Sequence, residues 1–303
     1  MQSIYKYLFS LLTITLITTV CSAQSKENKS ISIKPILVNE LSEEVKESSG
    51  LIYWNHLLWT HNDDKDTNLY GLNPQTGKIM QTLPLSNVTN KEWEEISQDS
   101  IAIYLADTGN NTQGNRKDLY LLRILKSQLS EANPNIETIH FSFANQTDFK
   151  PLPANTTDFD LEAFVVAKDT AYLFTKEWNS RKTTLYQLAT KGSNSIAGPI
   201  ATFDAEGLIT GATLLENKHQ LVLCGYTKLL SPFLIVFYDY KDHDFFSGKF
   251  LRIKLELPFH QIEGIATIDG TTFYLSNEKL NFKGLINNNQ SLWKVDLSGV
   301  KGL

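Results

Sequence analysis

The chain has 303 residues, 33 acidic against 28 Lys and Arg, a formal net charge of −5 and 11% aromatic residues. Without a basic face it is not built to hold nucleic acid. Its two cysteines, Cys21 and Cys224, leave no intramolecular disulfide once an N-terminal leader is removed.

Residues 1–23 read as a secretory signal peptide. Lys6 supplies the positive start, Leu8–Val20 the apolar core, and Cys21-Ser22-Ala23 the small residues where a peptidase cuts. A lipid anchor on Cys21 is the alternative. The apolar core is short for a membrane helix, and no second long apolar run follows, so no transmembrane segment is expected. The mature protein should be exported, periplasmic or secreted. Residues 24–32 read as a flexible leader, and 33–303 as a single domain, expected to be a monomer.

From there on helical periodicity is weak. Short apolar runs are cut by Asn, Asp, Gly and Pro, the pattern of an all-β protein. Ile31–Val38 reads as a lone strand, expected beside Ser291–Leu297, where it would cover an exposed edge. Then one phrase recurs. It opens at Ser49-Gly50-Leu51-Ile52, Glu94-Glu95-Ile96-Ser97, Glu162-Ala163-Phe164-Val165, Thr210-Gly211-Ala212-Thr213 and Glu263-Gly264-Ile265-Ala266. Each head leads through a turn to an apolar run, a polar loop and a further apolar run. The polar loops are His61–Asp64, Asp107–Asn111, Lys176–Asn179, Gly225–Lys228 and Asn277–Lys279. Head positions are 45, 68, 48 and 53 residues apart. Propeller blades run about 40–50 residues, so the spacing predicts a five-bladed β-propeller, with six blades or an unrelated β-sandwich as alternatives. The long gap holds Ser127–Asp158, which reads as a long loop or extra hairpin.

In such a fold the heads ring one mouth of the central channel, and the polar loops form a wider ring on the same face. Glu94, Glu162 and Glu263 would then face each other. Gathered carboxylates repel, so the ring needs a bound cation or basic partners. Asp107 joins the Glu residues as a candidate metal ligand, with Thr210 and backbone carbonyls completing an oxygen set that suits Ca²⁺ better than zinc. Arg116, Lys176, Lys228 and Lys279 are the candidate counter-ions, with Arg181 close by. Arg116, Lys176, Arg181, His61, Asn277 and Glu278 are candidate substrate contacts. Asp64-x-Asp66-x-Asn68 starts like a helix-loop-helix calcium loop. It lacks the later Gly and Glu, and reads as a hairpin loop.

The heads Trp93-Glu94-Glu95-Ile96, Leu161-Glu162-Ala163-Phe164, Ile209-Thr210-Gly211-Ala212 and Ile262-Glu263-Gly264-Ile265 resemble those of the SdiA-regulated family of exported bacterial propellers, over roughly residues 45–297. The resemblance implies a five-bladed propeller with a calcium site, distantly similar to NHL-repeat and phytase-like propellers, and carries Glu94, Glu162 and Glu263 over as site residues. The loop with Asp107, Gly109, Asn110, Asn111 and Arg116 departs from that pattern.

Two functions are expected to compete. One is a calcium-binding module that takes a small molecule or protein at the channel mouth. The alternative is a metal-dependent hydrolase of phosphate esters or lactones. A third reading makes the Glu ring structural, neutralised by Lys and Arg. No nucleophile motif is present.

Overall fold

The computed structural model describes residues 31–300 apart from 130, 132, 193 and 283. The expected signal peptide and most of the leader lie outside the described residues. Within them the chain is all β, with short 3₁₀ turns and no α-helix. No helix among them is long and apolar enough to cross a membrane.

The chain opens with β1 (Ile31–Ile33) and β2 (Ile36–Glu40). An antiparallel meander follows: β3 (Ser48–Trp54), β4 (Leu57–Asn62), β5 (Asn68–Leu72) and β6 (Ile79–Pro84). The next meander is β7 (Trp93–Gln98), β8 (Ala102–Asp107), β9 (Leu119–Leu125) and β10 (Ile136–Phe143). It is followed by β11 (Asp160–Ala167), β12 (Thr170–Lys176), β13 (Thr183–Ala189) and β14 (Asn194–Phe203). These two meanders join through a parallel β10–β14 pair into one eight-stranded sheet. Then come β15 (Leu208–Leu215), β16 (Gln220–Tyr226), β17 (Pro232–Tyr238) and β18 (Lys249–Leu255). The chain ends with β19 (Ile262–Thr267), β20 (Thr272–Asn277), a small hairpin of β21 (Leu280–Phe282) and β22 (Ile286–Asn288), and β23 (Ser291–Asp296).

The expected role of Ile31–Val38 needs correcting. Ile36–Glu40 does pair antiparallel with β23 and completes the sheet β19-β20-β23-β2. Ile31–Ile33 instead pairs in parallel with β18. Pro35 lacks an N–H and holds its own φ, so the ladder breaks between the two strands. Ile31 and Ile33 pack against the β16–β20 core. The Ser127–Asp158 stretch is also more than a loop. It contains β10, the outer strand of its own meander, followed by a strandless segment at 144–159.

The strands read as they do because most are apolar on both faces. All eight residues of β11 are buried, as are six of seven in β17, which fits sheets covered on each side by a neighbour. Core clusters lie between successive meanders: Trp59 and Trp93 in one, Phe164 and Tyr186 in the next, Phe233 and Phe245 in a third. The first strands β3, β7, β11, β15 and β19 pack beside one another in chain order, and β19 returns to β3.

Candidate functional site

Every one of these first strands slips register at its head. The breaks fall between Ser49 and Ile52, Trp93 and Glu95, Leu161 and Ala163, Ile209 and Gly211, and Ile262 and Gly264. A bulge leaves an unpaired residue and re-aims its side chain. The residues so released are Gly50 and Leu51, Glu94, Glu162, Thr210 and Glu263. The recurring heads are therefore the bulges. Small neighbours make them possible: a Cβ on Gly264 would come within 2.8 Å of the Gly50 backbone.

At one end of the strands the bulge carboxylates converge. Glu94, Asp160 and Glu162 are buried, and each offers an oxygen within 4.8 Å of the others. Lys176 Nζ stands 3.1 Å from Glu162 Oε1, with 6% of its side chain exposed. It also lies 4.9 Å from the Trp178 ring centre and 5.6 Å from that of Tyr226. Asp160 begins β11 opposite Lys176. It accepts from Trp178 Nε1 at 2.7 Å and from the backbone N–H of Asn110 at 2.5 Å. Glu263 is buried, and its Oε2 has no hydrogen-bond partner.

The electrostatics follow from burial. Desolvation pushes the Glu94 carboxyl well above its usual range, and the charges of Glu162 and Asp160 push it further. Asp160 and Glu263 move the same way for the same first cause, with Lys176 pulling against it. Burial works against the Lys176 ammonium too, but Glu162, Tyr226, Glu263 and Asp160 outweigh it and hold the proton. Asp63, on the loop after β4, is raised to about 7 by burial and by Glu278, Glu47 and Asp64. Its Oδ1 has no partner. Asp63, Asp64 and Glu47 form a second, half-exposed acidic group, with Lys65 2.8 Å from Asp64 and 3.6 Å from Glu47.

Several expected site residues are committed elsewhere. Asp107 is buried, and both its oxygens are taken. Oδ1 accepts from Arg116 at 2.7 Å; Oδ2 accepts from the Tyr120 hydroxyl at 2.8 Å and the Lys91 N–H at 3.0 Å. Arg116 also donates to Gly109 O and Asp118 Oδ1. These two residues thus staple the 107–118 loop, and Asp107 is not among the carboxylates that cluster at Glu94, Asp160 and Glu162. Lys279 pairs with Glu43, and Lys228 is exposed. Arg181 sits in a turn at φ +62°. His61 is fully buried edge-on to Trp93, with Nδ1 at the Asn62 carbonyl and Nε2 unpartnered; burial lowers it to about 4. Asn277 accepts from Trp293 Nε1 and donates to two backbone carbonyls. Glu278 does face the cluster, raised by burial with Lys176 acting against it. Asp66 caps Asn68 N and accepts from Asn62 and Tyr70, the turn role expected of the Asp64–Asn68 stretch.

Three contributors escaped the sequence reading as site residues. Asp160 stands two positions before Glu162, and strand alternation could have flagged it. Trp178 follows Lys176 by the same interval. Glu95 offered no signal beyond its adjacency to Glu94. It is buried, accepts from its neighbour Ile96 N–H at 3.0 Å and from Ala212 N–H of β15 at 2.9 Å, and so reaches from β7 across to a strand that is not its neighbour. Burial raises it strongly, against these hydrogen bonds and one from Leu51. Beyond it, at the other end of the strands, lies a cavity of about 840 Å³. It is lined by the turns after the first strands, among them Asp99, Lys168, Glu216 and Asp269, and takes in none of the buried carboxylates.

No family model matches the chain, and no curated protein matches it. Among solved structures the chain is similar to an exo-β-1,3-galactanase from Phanerochaete chrysosporium with β-1,3-galactotriose, at 9% identity and a TM-score of 0.52. The match covers 88% of this chain and 64% of that one, so this chain spans under two thirds of the galactanase's length. At that identity the likeness concerns the fold alone.

Proposed function

We propose that the chain is a five-bladed propeller that binds a divalent cation at one mouth of its channel and acts, after export, as a calcium-dependent binding module of the SdiA-regulated type. The side-by-side order of the first strands, closed by β19 against β3, supports the blade count. The cation reading rests on one observation: three buried carboxylates with oxygens within 4.8 Å share one neighbouring ammonium, that of Lys176. Uncompensated buried charge is costly. The unpartnered Glu263 Oε2 is a further hard oxygen donor with nothing to hold. An all-oxygen set of this kind fits Ca²⁺, which takes six to eight oxygens at about 2.3–2.6 Å. Glu94, Asp160, Glu162 and Glu263 would hold the ion, which would neutralise them and offer open positions to an oxygen-rich ligand. Asp107 is not one of the clustered carboxylates and is held instead by Arg116, Tyr120 and Lys91.

Bound-metal analysis and calcium titration of purified protein test this. One Ca²⁺ per chain is expected, lost in Glu162→Gln. Metal-free protein whose melting is indifferent to calcium would exclude it.

The hydrolase reading keeps one supporting observation. Burial and neighbouring carboxylates push Asp63 up to about 7, and its Oδ1 is unpartnered, which suits a group that passes a proton near neutral pH. Phosphate esters, lactones and, given the structural likeness, β-1,3-galactosides are the substrates to assay with and without chelator. Turnover that survives in Asp63→Asn would remove this reading.

A further inference from the structure

The last residues of the second strands are Asn62, Asp107, Lys176, Tyr226 and Asn277. Asn62 donates to Glu44 O, Asp107 is held by Arg116, Tyr226 accepts from Gln261, and Asn277 is held by Trp293. Lys176 alone at this position carries a charge into the carboxylate ring. Among the described residues its ion-pair partner is Glu162. Its ammonium already lies near the faces of Trp178 and Tyr226, surfaces that stabilise a cation without a carboxylate. A four-carbon stem with rotatable bonds allows the head to leave one for the other.

We propose that Lys176 is a tethered competitor for the cation site: its ammonium occupies the carboxylates while no ion is bound, and swings from Glu162 onto Trp178 and Tyr226 when a divalent ion enters. The inference rests on the calcium reading above and adds to it how the site is gated. A resident ammonium keeps the empty ring from being an unpaired cluster of buried charge. It also lowers affinity, because two cations cannot share Glu162 without repulsion. Ions too weakly attracted to displace it are rejected, so Lys176 sets the threshold of the site.

The test is calcium titration by calorimetry at pH 8, on wild type and Lys176→Met, with tryptophan emission followed in wild type and Trp178→Phe. Removing the competitor should tighten calcium binding by roughly ten-fold or more. Calcium should change the emission of wild type, and Trp178→Phe should lose most of that change. Equal or weaker binding by Lys176→Met overturns the proposal and leaves the calcium site standing; it would make Lys176 an organiser of Glu162. If Lys176→Met fails to fold, the emission pair decides, and a calcium-induced change that persists in Trp178→Phe overturns it. Binding by the variant but not by wild type would mean that Lys176 closes the site permanently, and overturns both the gating proposal and the calcium reading of the native site. Binding by neither overturns this proposal together with the calcium reading.

Discussion

Arg116 and Glu162 show how differently two charged residues on one face are employed. Arg116 neutralises a fully buried Asp107 and pins the turn that follows it. Removing one partner of a buried pair leaves the other charge uncompensated, which costs about 3–5 kcal/mol. Arg116→Met should therefore lower the melting temperature markedly while leaving calcium affinity within error, as a melt and a titration of the same preparation would reveal. An affinity loss equal to that of Glu162→Gln would put Arg116 back among the ligand contacts. Gly109 gives a complementary probe. A Cβ there would collide with Glu94 Oε1. Gly109→Ala displaces that carboxylate without removing its charge, and should weaken calcium binding with little change in the pH dependence of melting. Glu95 belongs to stability. Glu95→Ala strands the buried N–H groups of Ile96 and Ala212. At about 1–3 kcal/mol for each unsatisfied group, it should cost several kcal/mol in chemical denaturation.

At the scale of elements, the bulged first strand is what the sequence made legible. Four of the five bulges carry a polar residue, and in three of those four a Gly or Ala follows, so Glu94, Glu162, Thr210 and Glu263 could be read directly from the repeat. Asp160 and Trp178 were less legible, because their role depends on a partner in the next strand and no repeat shares them. Asp107 and Arg116 sit nine residues apart on either side of a loop, and only the loop's course shows that they satisfy each other. The cavity at the opposite end had no sequence signature, since it is walled by turns of unrelated composition. Ile31–Glu40 was half legible. Its apolar character marked strand, while Pro35 decided that it serves two sheets. This has a consequence for truncation. A chain starting at Lys34 loses an edge pairing to β18 and the packing of Ile31 and Ile33 against the core, and should melt a few degrees lower. A chain starting at Leu41 also loses β2, leaving β23 as an open edge and separating the closing sheet from the start of the chain. That version should lose its cooperative transition. Equal melts for both truncations would show that β2 does not close the structure.

For the molecule as a whole, the buried carboxylates tie stability to pH in an unusual direction. Asp63 has a folded value of about 7 against 3.8 for the ordinary group, and burial raises Glu94, Glu95, Asp160 and Glu263 as well. A raised carboxyl favours the folded state while protonated. Its contribution is complete below the ordinary value and is lost as pH rises to the folded one. For each such group the loss is up to about 1.4 kcal/mol per pH unit. For Asp63 the window runs from about 4 to about 7. Lys176 is raised from 10.5, so its contribution is present throughout that window and is lost only at higher pH. Calcium-free protein should therefore melt progressively lower from pH 4.5 to 7.5. Asp63→Asn should flatten part of that slope and be the more stable protein at pH 7.5. On the proposed calcium reading, the ion acts oppositely. Binding to the folded state adds about 2.7 kcal/mol at a hundredfold excess over Kd, and it binds best when the ring is ionised. The gap between melts with calcium and with chelator should widen as pH rises through the same window. A chelated melt that climbs from pH 4.5 to 7.5 would mean that the carboxylates are already neutralised within the fold, and that the ring is a closed salt-bridge network with no call for a metal.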